Sequence, residues 1–110
     1  MAFLPERGHA LWLSLNPTLG HEQGGRRPVI VLSPGFYNKR SGLLVACPIT
    51  SRVKGYPFEV AIPDGLPVSG VILADQLRSL DWNARTIELI GTLPDDLVQE
   101  ALARSRALLT

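Results

Sequence analysis

The chain has 110 residues and a mass of 12.0 kDa, a size that fits one folded domain, residues 1–110, with one hydrophobic core. Its 45% hydrophobic and 19% charged residues exclude an intrinsically disordered chain, and its single cysteine, Cys47, excludes an internal disulfide. No signal-peptide pattern and no membrane span of about 18 apolar residues is present. We therefore expect a cytoplasmic domain without membrane contact, in which Cys47 is a buried thiol.

The net charge of +1 is unevenly distributed along the chain. Residues 26–54 hold six basic residues and no acidic one, whereas residues 1–25 and 55–110 each hold more acidic than basic residues. The six are Arg26, Arg27, Lys39, Arg40, Arg52 and Lys54. On one face they would form a patch that attracts the phosphates of a short single strand. A solvated rim of unrelated charges is the alternative, and the count does not decide between the two.

Short apolar runs alternate with turn residues over most of the chain, a pattern typical of a small all-β barrel or sandwich. We predict strands at residues 10–15, 28–33, 43–49, 58–62, 70–74 and 86–90. The connection over residues 16–25 is polar, rich in glycine and long for a hairpin, and residues 34–38 read as a turn with a short helical turn. The pattern predicts a mainly β domain of five to seven short antiparallel strands.

The periodicity changes to that of a helix after residue 90. Thr92 is predicted as the N-cap, with Pro94 and Asp95 in the first turn. Glu100 and Arg104 stand four residues apart on the outer side. One apolar stripe is predicted from Leu97, Val98, Ala101, Leu102, Leu108 and Leu109. This amphipathic helix must dock on the strands or on a partner, and the whole predicts an SH3-like barrel with a C-terminal helix.

Motifs for metal, nucleotide or acyl-enzyme chemistry are absent from the sequence. His9 and His21 lack the spacing of a metal pair, and no GxSxG, GxGxxG or GxxxxGK pattern occurs. We therefore expect no metal and no cofactor. The polar residues that remain for chemistry lie at strand ends or in the long loop and are Glu22, Arg27, Thr50 and Ser51.

Arg27 precedes the predicted second strand and Thr50 follows the third, so antiparallel pairing would bring both to one end of the sheet. A guanidinium and a hydroxyl there could bind a phosphodiester, with Glu22 as the nearest acid or base if the loop folds over. RNA supplies its own nucleophile, the 2′-OH, so no metal would be required. Each residue also has an ordinary interpretation. Glu22 would be a solvated loop acid, Arg27 a surface ion-pair partner and Thr50 a strand-end cap.

Three separated segments, EQGGRRPVIVLSPGFYN, ACPITSRVKGYPFEV and GVILADQLRSLDW, resemble in order and spacing the MazF/PemK family of toxin endoribonucleases of type II toxin–antitoxin systems. The similarity runs from about residue 8 to the C-terminal helix. It implies the small barrel of the CcdB/PemK-like plasmid maintenance toxins and a homodimer. It also implies metal-independent, sequence-specific cleavage of single-stranded mRNA, which leaves 2′,3′-cyclic phosphate and 5′-OH ends and inhibits translation and growth.

The resemblance also implies roles for individual residues. It places transition-state charge stabilisation and the general acid on Arg27, phosphate binding on Thr50 and the general base on Glu22. His21 lies outside the family pattern and is either a proton carrier or a solvent-facing residue. The predicted RNA contacts are Ser33, Asn38, Ser51, Lys54, Tyr56 and Gln76, with Phe58 either a further contact or a core residue. Trp12 and Trp82 are predicted to pack.

The family further implies a cognate MazE-like antitoxin whose disordered, acidic C-terminal segment covers the RNA groove, and through which any operator DNA would be reached. Two other functions stay open. A CcdB-like gyrase-poisoning toxin is expected to end in Trp-Gly-Ile, whereas this chain ends in Ala-Leu-Leu-Thr. A non-catalytic RNA-binding barrel would not need Glu22, Arg27 and Thr50 together.

Overall fold

The computed structural model describes residues 3–110, which form seven strands and two helices. The strands are β1 (His9–Ser14), β2 (Arg26–Val31), β3 (Leu43–Thr50), β4 (Glu59–Ala61), β5 (Val71–Leu73), β6 (Arg78–Asp81) and β7 (Glu88–Thr92), and the helices are α1 (Gly35–Ser41) and α2 (Asp95–Ala107). Every strand pair is antiparallel. The predicted class, a mainly β fold of five to seven short antiparallel strands with a C-terminal helix, is confirmed. Neither helix is long and apolar enough to cross a bilayer.

Strand β3 is the centre of the sheet, whose order is β4-β5-β3-β2-β1-β7. One edge of β3 pairs with β2. Along the other edge, residues 43–46 pair with β6 and residues 49–50 pair with β5. The turn that joins β5 to β6 therefore lies beside the middle of β3, close to the end that carries Thr50.

Both faces of β2 and β3 are buried over residues 29–31 and 46–50, which explains the nearly continuous apolar runs of these two strands. On one face, Ile30 and Ile49 pack against Leu97, Val98 and Ala101 of α2. The other face forms a second cluster that Trp82 and Ile87 cover, and it consists of Leu11, Leu13, Leu15, Val29, Val31, Leu44, Ala46 and Leu80. A fully buried side chain of this size contributes roughly 1.5–3 kcal/mol to folding, so these two layers hold the strand ends in place.

The single thiol is buried beneath α2, as predicted. Cys47 Sγ lies 3.8 Å from Ser105 Oγ, and Ser105 donates a hydrogen bond to the carbonyl of Ala74 at 2.9 Å. Burial raises the pKa of Cys47 to about 11, an effect that the hydrogen bond with Ser105 partly opposes. Cys47 is therefore a protonated packing residue at neutral pH.

Helix α2 begins and ends differently from the prediction. Thr92 is the last residue of β7, because it still pairs with His9 of β1, and Pro94 occupies the N-cap position without a side-chain hydrogen bond. The predicted threonine cap is therefore wrong. Leu108 and Leu109 lie beyond the helix end and are 49% and 74% exposed, so they do not continue the buried stripe. The predicted pairing of Glu100 with Arg104 is present, at 3.5 Å.

Two elements were missed or underestimated in the sequence. Strand β6 contains one buried apolar residue, Leu80, among polar neighbours, so its alternation is too short to stand out. The predicted turn at residues 34–38 is the start of α1, which ends where Gly42 adopts a left-handed conformation with φ 74°. Strand β6 pairs with residues 43–46 and α1 directly precedes β3, so both elements lie away from the β3 end that carries Thr50.

Candidate active site

Arg27 and Thr50 lie at the same end of two paired strands. Val29 of β2 pairs with Pro48 of β3, and Ile30 pairs with Cys47. Arg27 lies two residues before Val29, and Thr50 lies two residues after Pro48, so both residues lie at the same end of the β2–β3 pair. The strand pairing alone thus brings the guanidinium and the hydroxyl to one sheet edge.

Both residues line an open cavity of about 510 Å³. Arg27 Nε donates to the carbonyl of Gly24 at 2.9 Å, which fixes the base of the guanidinium and leaves its two terminal nitrogens for a ligand. The ion pairs formed within residues 3–110 are Arg26–Glu88 and Arg104–Glu100. Arg27 is therefore not neutralised by a carboxylate, unlike a surface ion-pair partner.

Thr50 is 6% exposed, and its hydroxyl oxygen accepts a hydrogen bond from the amide of Arg52 at 3.1 Å. This bond fixes the side chain as a strand-end cap would. It uses a lone pair, however, so the hydroxyl proton can still be donated to a ligand in the cavity. The cap and the phosphate-binding role are therefore compatible in one residue.

A second cavity of about 300 Å³ adjoins the first at Thr50. The lining residues are His21, Gln23, Thr50, Arg52, Lys54, Tyr56, Glu59, Leu73, Asp75 and Gln76. Tyr56 is 61% exposed, and Lys54 Nζ lies 6.0 Å from the centroid of its ring. An exposed ring beside a cation can stack on a nucleobase. No three His, Cys, Asp or Glu side chains in residues 3–110 are grouped closely enough to hold a metal ion.

The loop that bears Tyr56 is shaped by one carboxylate. Glu59 accepts hydrogen bonds from the amides of Lys54, at 3.1 Å, and Gly55, at 2.9 Å. The charge of Glu59 therefore interacts with the loop backbone. Of the exposed residues in this loop, Ser51 lines the first cavity, and Arg52 and Lys54 line the second. Two acids, Glu59 and Asp75, thus line this second cavity together with the basic residues Arg52 and Lys54, and the Glu59 carboxylate is already hydrogen-bonded to the loop.

Glu22 does not join Arg27 and Thr50 as expected. Its Oε1 accepts a hydrogen bond from the amide of Leu19 at 2.8 Å, which closes a turn within the long loop. Glu22 lines a third, smaller cavity of about 220 Å³, which shares Gln23, Asp75 and Gln76 with the second. The neighbouring residue, His21, lines the second cavity together with Thr50.

Ser33 and Asn38 are structural residues, contrary to the predicted RNA contact. Asn38 is 0% exposed, and its amide nitrogen donates to the carbonyls of Pro5, at 2.8 Å, and Ser33, at 3.2 Å. Ser33 Oγ donates to Asn38 Oδ1 at 2.5 Å and accepts from the amide of Val45 at 2.8 Å. Every polar atom of this pair is used to join α1 to β3 and to the N-terminal segment.

The basic residues of segment 26–54 do not share one face. Lys39 and Arg40 lie on α1, which precedes the start of β3, whereas Arg27 and Arg52 lie at the other end of that strand. Eight residues of strand separate the two groups by roughly 20 Å. The patch near the cavities consists of Arg26, Arg27, Arg52 and Lys54.

Two residues at the Arg27–Thr50 end of the sheet were missed by sequence reasoning. Trp12, predicted to pack, is 37% exposed and lines the cavity, with the guanidinium of Arg26 5.9 Å from its ring centroid. Alternation with the buried Leu11 and Leu13 was the available signal. Gly70, at φ 109°, approaches the Thr50 backbone so closely that a Cβ would overlap the Thr50 carbonyl oxygen. Trp82, by contrast, packs as predicted.

Comparison with known proteins places this geometry in a family. The family described as PemK-like, MazF-like toxin of type II toxin-antitoxin system matches residues 6–109. The chain is 40% identical over 107 residues to the endoribonuclease toxin MazF of Escherichia coli (strain K12), covering 97% of this chain and 96% of the relative. It is 37% identical over 111 residues to the endoribonuclease PemK of Escherichia coli, covering 96% and 82%.

Solved structures agree with the sequence matches. The crystal structure of MazF (Form-I) from Deinococcus radiodurans superposes with a TM-score of 0.94 at 53% identity, covering 98% of each chain. The crystal structure of MazE-MazF (Form-II) from the same organism superposes with a TM-score of 0.85 at 47% identity, covering 98% of this chain and 97% of the other. Sequence and structure agree over nearly the full length, and the chain therefore belongs to the family of PemK-like, MazF-like toxins of type II toxin–antitoxin systems.

Proposed function

We propose that the Arg27–Thr50 cavity is where this chain, an endoribonuclease toxin of the PemK/MazF family, cleaves single-stranded RNA without a metal ion. The observation that carries the proposal is an arginine without a carboxylate partner, opposite a buried hydroxyl, in an open cavity of about 510 Å³. The basic and aromatic cavity beside it offers the next nucleotides a place to bind. The chain belongs to a family whose relatives are endoribonuclease toxins. No observation favours the two alternatives, a gyrase-poisoning toxin and a non-catalytic RNA-binding barrel.

The reaction is an internal transesterification. The 2′-oxygen attacks the adjacent phosphorus, the O2′–P bond forms and the P–O5′ bond breaks, which yields a 2′,3′-cyclic phosphate and a 5′-OH. The terminal N–H groups of Arg27 bind the non-bridging oxygens as their negative charge increases, and the Thr50 hydroxyl donates to one of them. In this proposal Arg27 is also the general acid that assists proton transfer to the leaving 5′-oxygen.

The general base in this proposal is Glu22, which takes the proton of the 2′-OH. To do so, its carboxylate must leave the amide of Leu19 and turn toward the Arg27–Thr50 cavity. The loop permits this movement because residues 19–22 are exposed and their turn is closed by local hydrogen bonds. Catalytic hydrogen bonds of this kind are often completed only when substrate binds.

A pair of variants assigns the base. We expect Glu22→Gln to lower the single-turnover cleavage rate about 100-fold or more, because an amide cannot accept the 2′-OH proton. His21→Gln, which keeps a polar side chain at the adjacent position, should change the rate less than about threefold. Both rates are measured at saturating RNA. A larger loss in His21→Gln than in Glu22→Gln would transfer the role to His21.

The wild-type protein provides the test of the function as a whole. Purified, antitoxin-free protein is incubated with a long single-stranded RNA in EDTA, and the new 5′ ends are mapped by primer extension. We expect cuts at one recurring short motif, with 5′ ends that a kinase labels directly and 3′ ends that resist ligation until the cyclic phosphate is opened. Folded protein that leaves the RNA intact would refute the proposal.

Partners follow from the same family. The solved MazE-MazF complex of the Deinococcus relative supports a cognate antitoxin for this chain, and its acidic segment would bind the rim of Arg26, Arg27, Arg52 and Lys54. We also propose a homodimer that acts on mRNA in the cytoplasm and slows translation and growth. An open apolar surface supports the homodimer and is formed by Leu32, Val45, Leu77, Leu102 and Leu109.

A further inference from the structure

One amide side chain holds both peptide groups that flank Glu22. Gln76 Oε1 accepts a hydrogen bond from the amide of Gln23 at 2.8 Å, and Gln76 Nε2 donates to the carbonyl of His21 at 3.3 Å. The His21 carbonyl belongs to the peptide bond before Glu22, and the Gln23 amide belongs to the peptide bond after it. The backbone on either side of the Glu22 Cα is therefore attached to the same side chain.

The support behind this attachment is rigid. Gln76 lies in the short turn between β5 and β6, and its own amide donates to the carbonyl of Leu73, the last residue of β5, at 3.1 Å. The base of the long loop is fixed separately, where Arg78 donates to the carbonyl of Leu15 at 2.8 Å and Gly25 donates to Asn16 Oδ1 at 3.1 Å. Gln76 is thus the side chain whose hydrogen bonds tie the outer part of the loop, residues 17–23, to the sheet, whereas Gly24 is held by Arg27.

The outer part of the loop has little else to hold it. Leu19 is 81% exposed, and the bonds of the turn, from the Leu19 amide to Glu22 Oε1 and from the Glu22 amide to the Leu19 carbonyl, lie within the turn itself. Such a turn keeps its own shape without fixing its position relative to Arg27 and Thr50. That position requires a contact from outside the turn, and Gln76 makes two.

We propose that Gln76 is a positioning residue that acts through Glu22. By holding the peptide groups before and after Glu22, it sets the direction from which the carboxylate reaches the Arg27–Thr50 cavity. A donor and an acceptor are both needed in one side chain, which an amide provides and a carboxylate or an apolar chain does not. The inference rests on the proposed function for the role of Glu22, and it assigns to Gln76 a task separate from the RNA contact predicted from the sequence.

Gln76→Met tests the attachment with a side chain of similar length and no hydrogen bond. We expect the cleavage rate at saturating RNA to fall roughly 10- to 100-fold, because a misplacement of about 1 Å has effects of this size. KM for RNA should change less than about threefold. The amide of Gln23 should exchange with solvent about fivefold faster or more, since it loses its acceptor. Gln76→Glu keeps the acceptor but loses the donor, so its cleavage rate should lie between those of the wild type and Gln76→Met.

The matched control is Gln99→Met, on the exposed side of α2. Gln99 donates to Asp95 over a long distance of 3.4 Å and is remote from the cavities. We expect its cleavage rate and the exchange of the Gln23 amide to equal those of the wild type. Equal losses in Gln76→Met and Gln99→Met would contradict the proposal, because the change would then reflect the methionine and not the attachment.

A double-variant cycle separates positioning from direct RNA contact. In the Glu22→Gln background, Gln76→Met should lower the rate by a further factor of less than about two, because the residue through which it acts is already disabled. A full multiplicative loss, or a slow rate with unchanged exchange at Gln23, would show that Gln76 acts on the RNA itself and would overturn the proposal. Wild-type protein that leaves RNA intact would contradict the proposed function, whereas a Gln76→Met variant that cuts as fast as an active wild type would contradict only the role of Gln76.

Discussion

Arg27→Ala is expected to lower the cleavage rate of single-stranded RNA in EDTA roughly 100- to 1,000-fold, the usual effect of removing one preorganised charge-stabilising group. Arg27 lines the cavity without a carboxylate partner, and its Nε is held by the Gly24 carbonyl at 2.9 Å. The guanidinium therefore needs no rearrangement when charge increases on the phosphate. The measurement is a single-turnover time course at saturating RNA, with thermal unfolding recorded for each protein.

Two further variants serve as comparisons for Arg27→Ala. Arg27→Lys keeps the charge but loses the planar pair of donors, so most of the activity should still be lost. Arg40→Ala removes the same charge from α1, at the distant end of β3, and should change the rate less than about twofold. An Arg27→Ala variant that stays within about tenfold of the wild type would remove Arg27 from the chemistry.

The positions of Arg27 and Thr50 could be predicted because they depend on one local rule. Strands that are consecutive in the chain, as β2 and β3 are apart from the helix α1 between them, usually pair, and in antiparallel neighbours the start of one meets the end of the next. The observed register, with Val29 opposite Pro48, required no information beyond these two strands. The two-sided burial of the sheet made both runs conspicuous.

The environment of the other site residues could not be predicted because it depends on contacts between distant parts of the chain. Asn38 looked like a surface turn residue, and it is buried by a hydrogen bond to the carbonyl of Pro5, 33 positions earlier. Glu22 looked like the nearest acid. The direction of its carboxylate depends on a turn that is held by Gln76, which lies 53 positions after Gln23 in the chain. Neither of these contacts, with Pro5 or with Gln76, produces a periodic pattern in the sequence.

The helix cap failed for a related reason. A good local signal for a helix start is formed by Thr92, Pro94 and Asp95. Thr92 nevertheless pairs with His9 at the sheet edge and belongs to β7. This pairing keeps Thr92 in β7, so the N-cap position falls on Pro94, two residues later. The residues missed in the sequence, Trp12 at the first cavity and Gly70 against the Thr50 backbone, likewise gain their role from what packs beside them.

Gly70→Ala is expected to lower the free energy of unfolding by about 3 kcal/mol, and to lower RNA cleavage under conditions in which the variant remains folded. Gly70 has φ 109°, a conformation that an alanine adopts only with strain, and an added methyl would overlap the carbonyl group of Thr50 and touch Ser51 Cα. Because Thr50 pairs with Val71 immediately beyond, relief of the overlap must displace the β3 end that carries the Thr50 hydroxyl.

Gly65→Ala isolates the effect of that contact. Gly65 has a similar φ of 89°, but nothing lies within 4 Å of the position of its Cβ. The strain alone should therefore cost about 1 kcal/mol, and the cleavage rate of folded Gly65→Ala should stay close to that of the wild type. Urea denaturation followed by circular dichroism gives both free energies, and single-turnover cleavage below the transition gives both rates. If Gly70→Ala matched Gly65→Ala in stability and in rate, the close approach of Gly70 to Thr50 would have no part in holding the site.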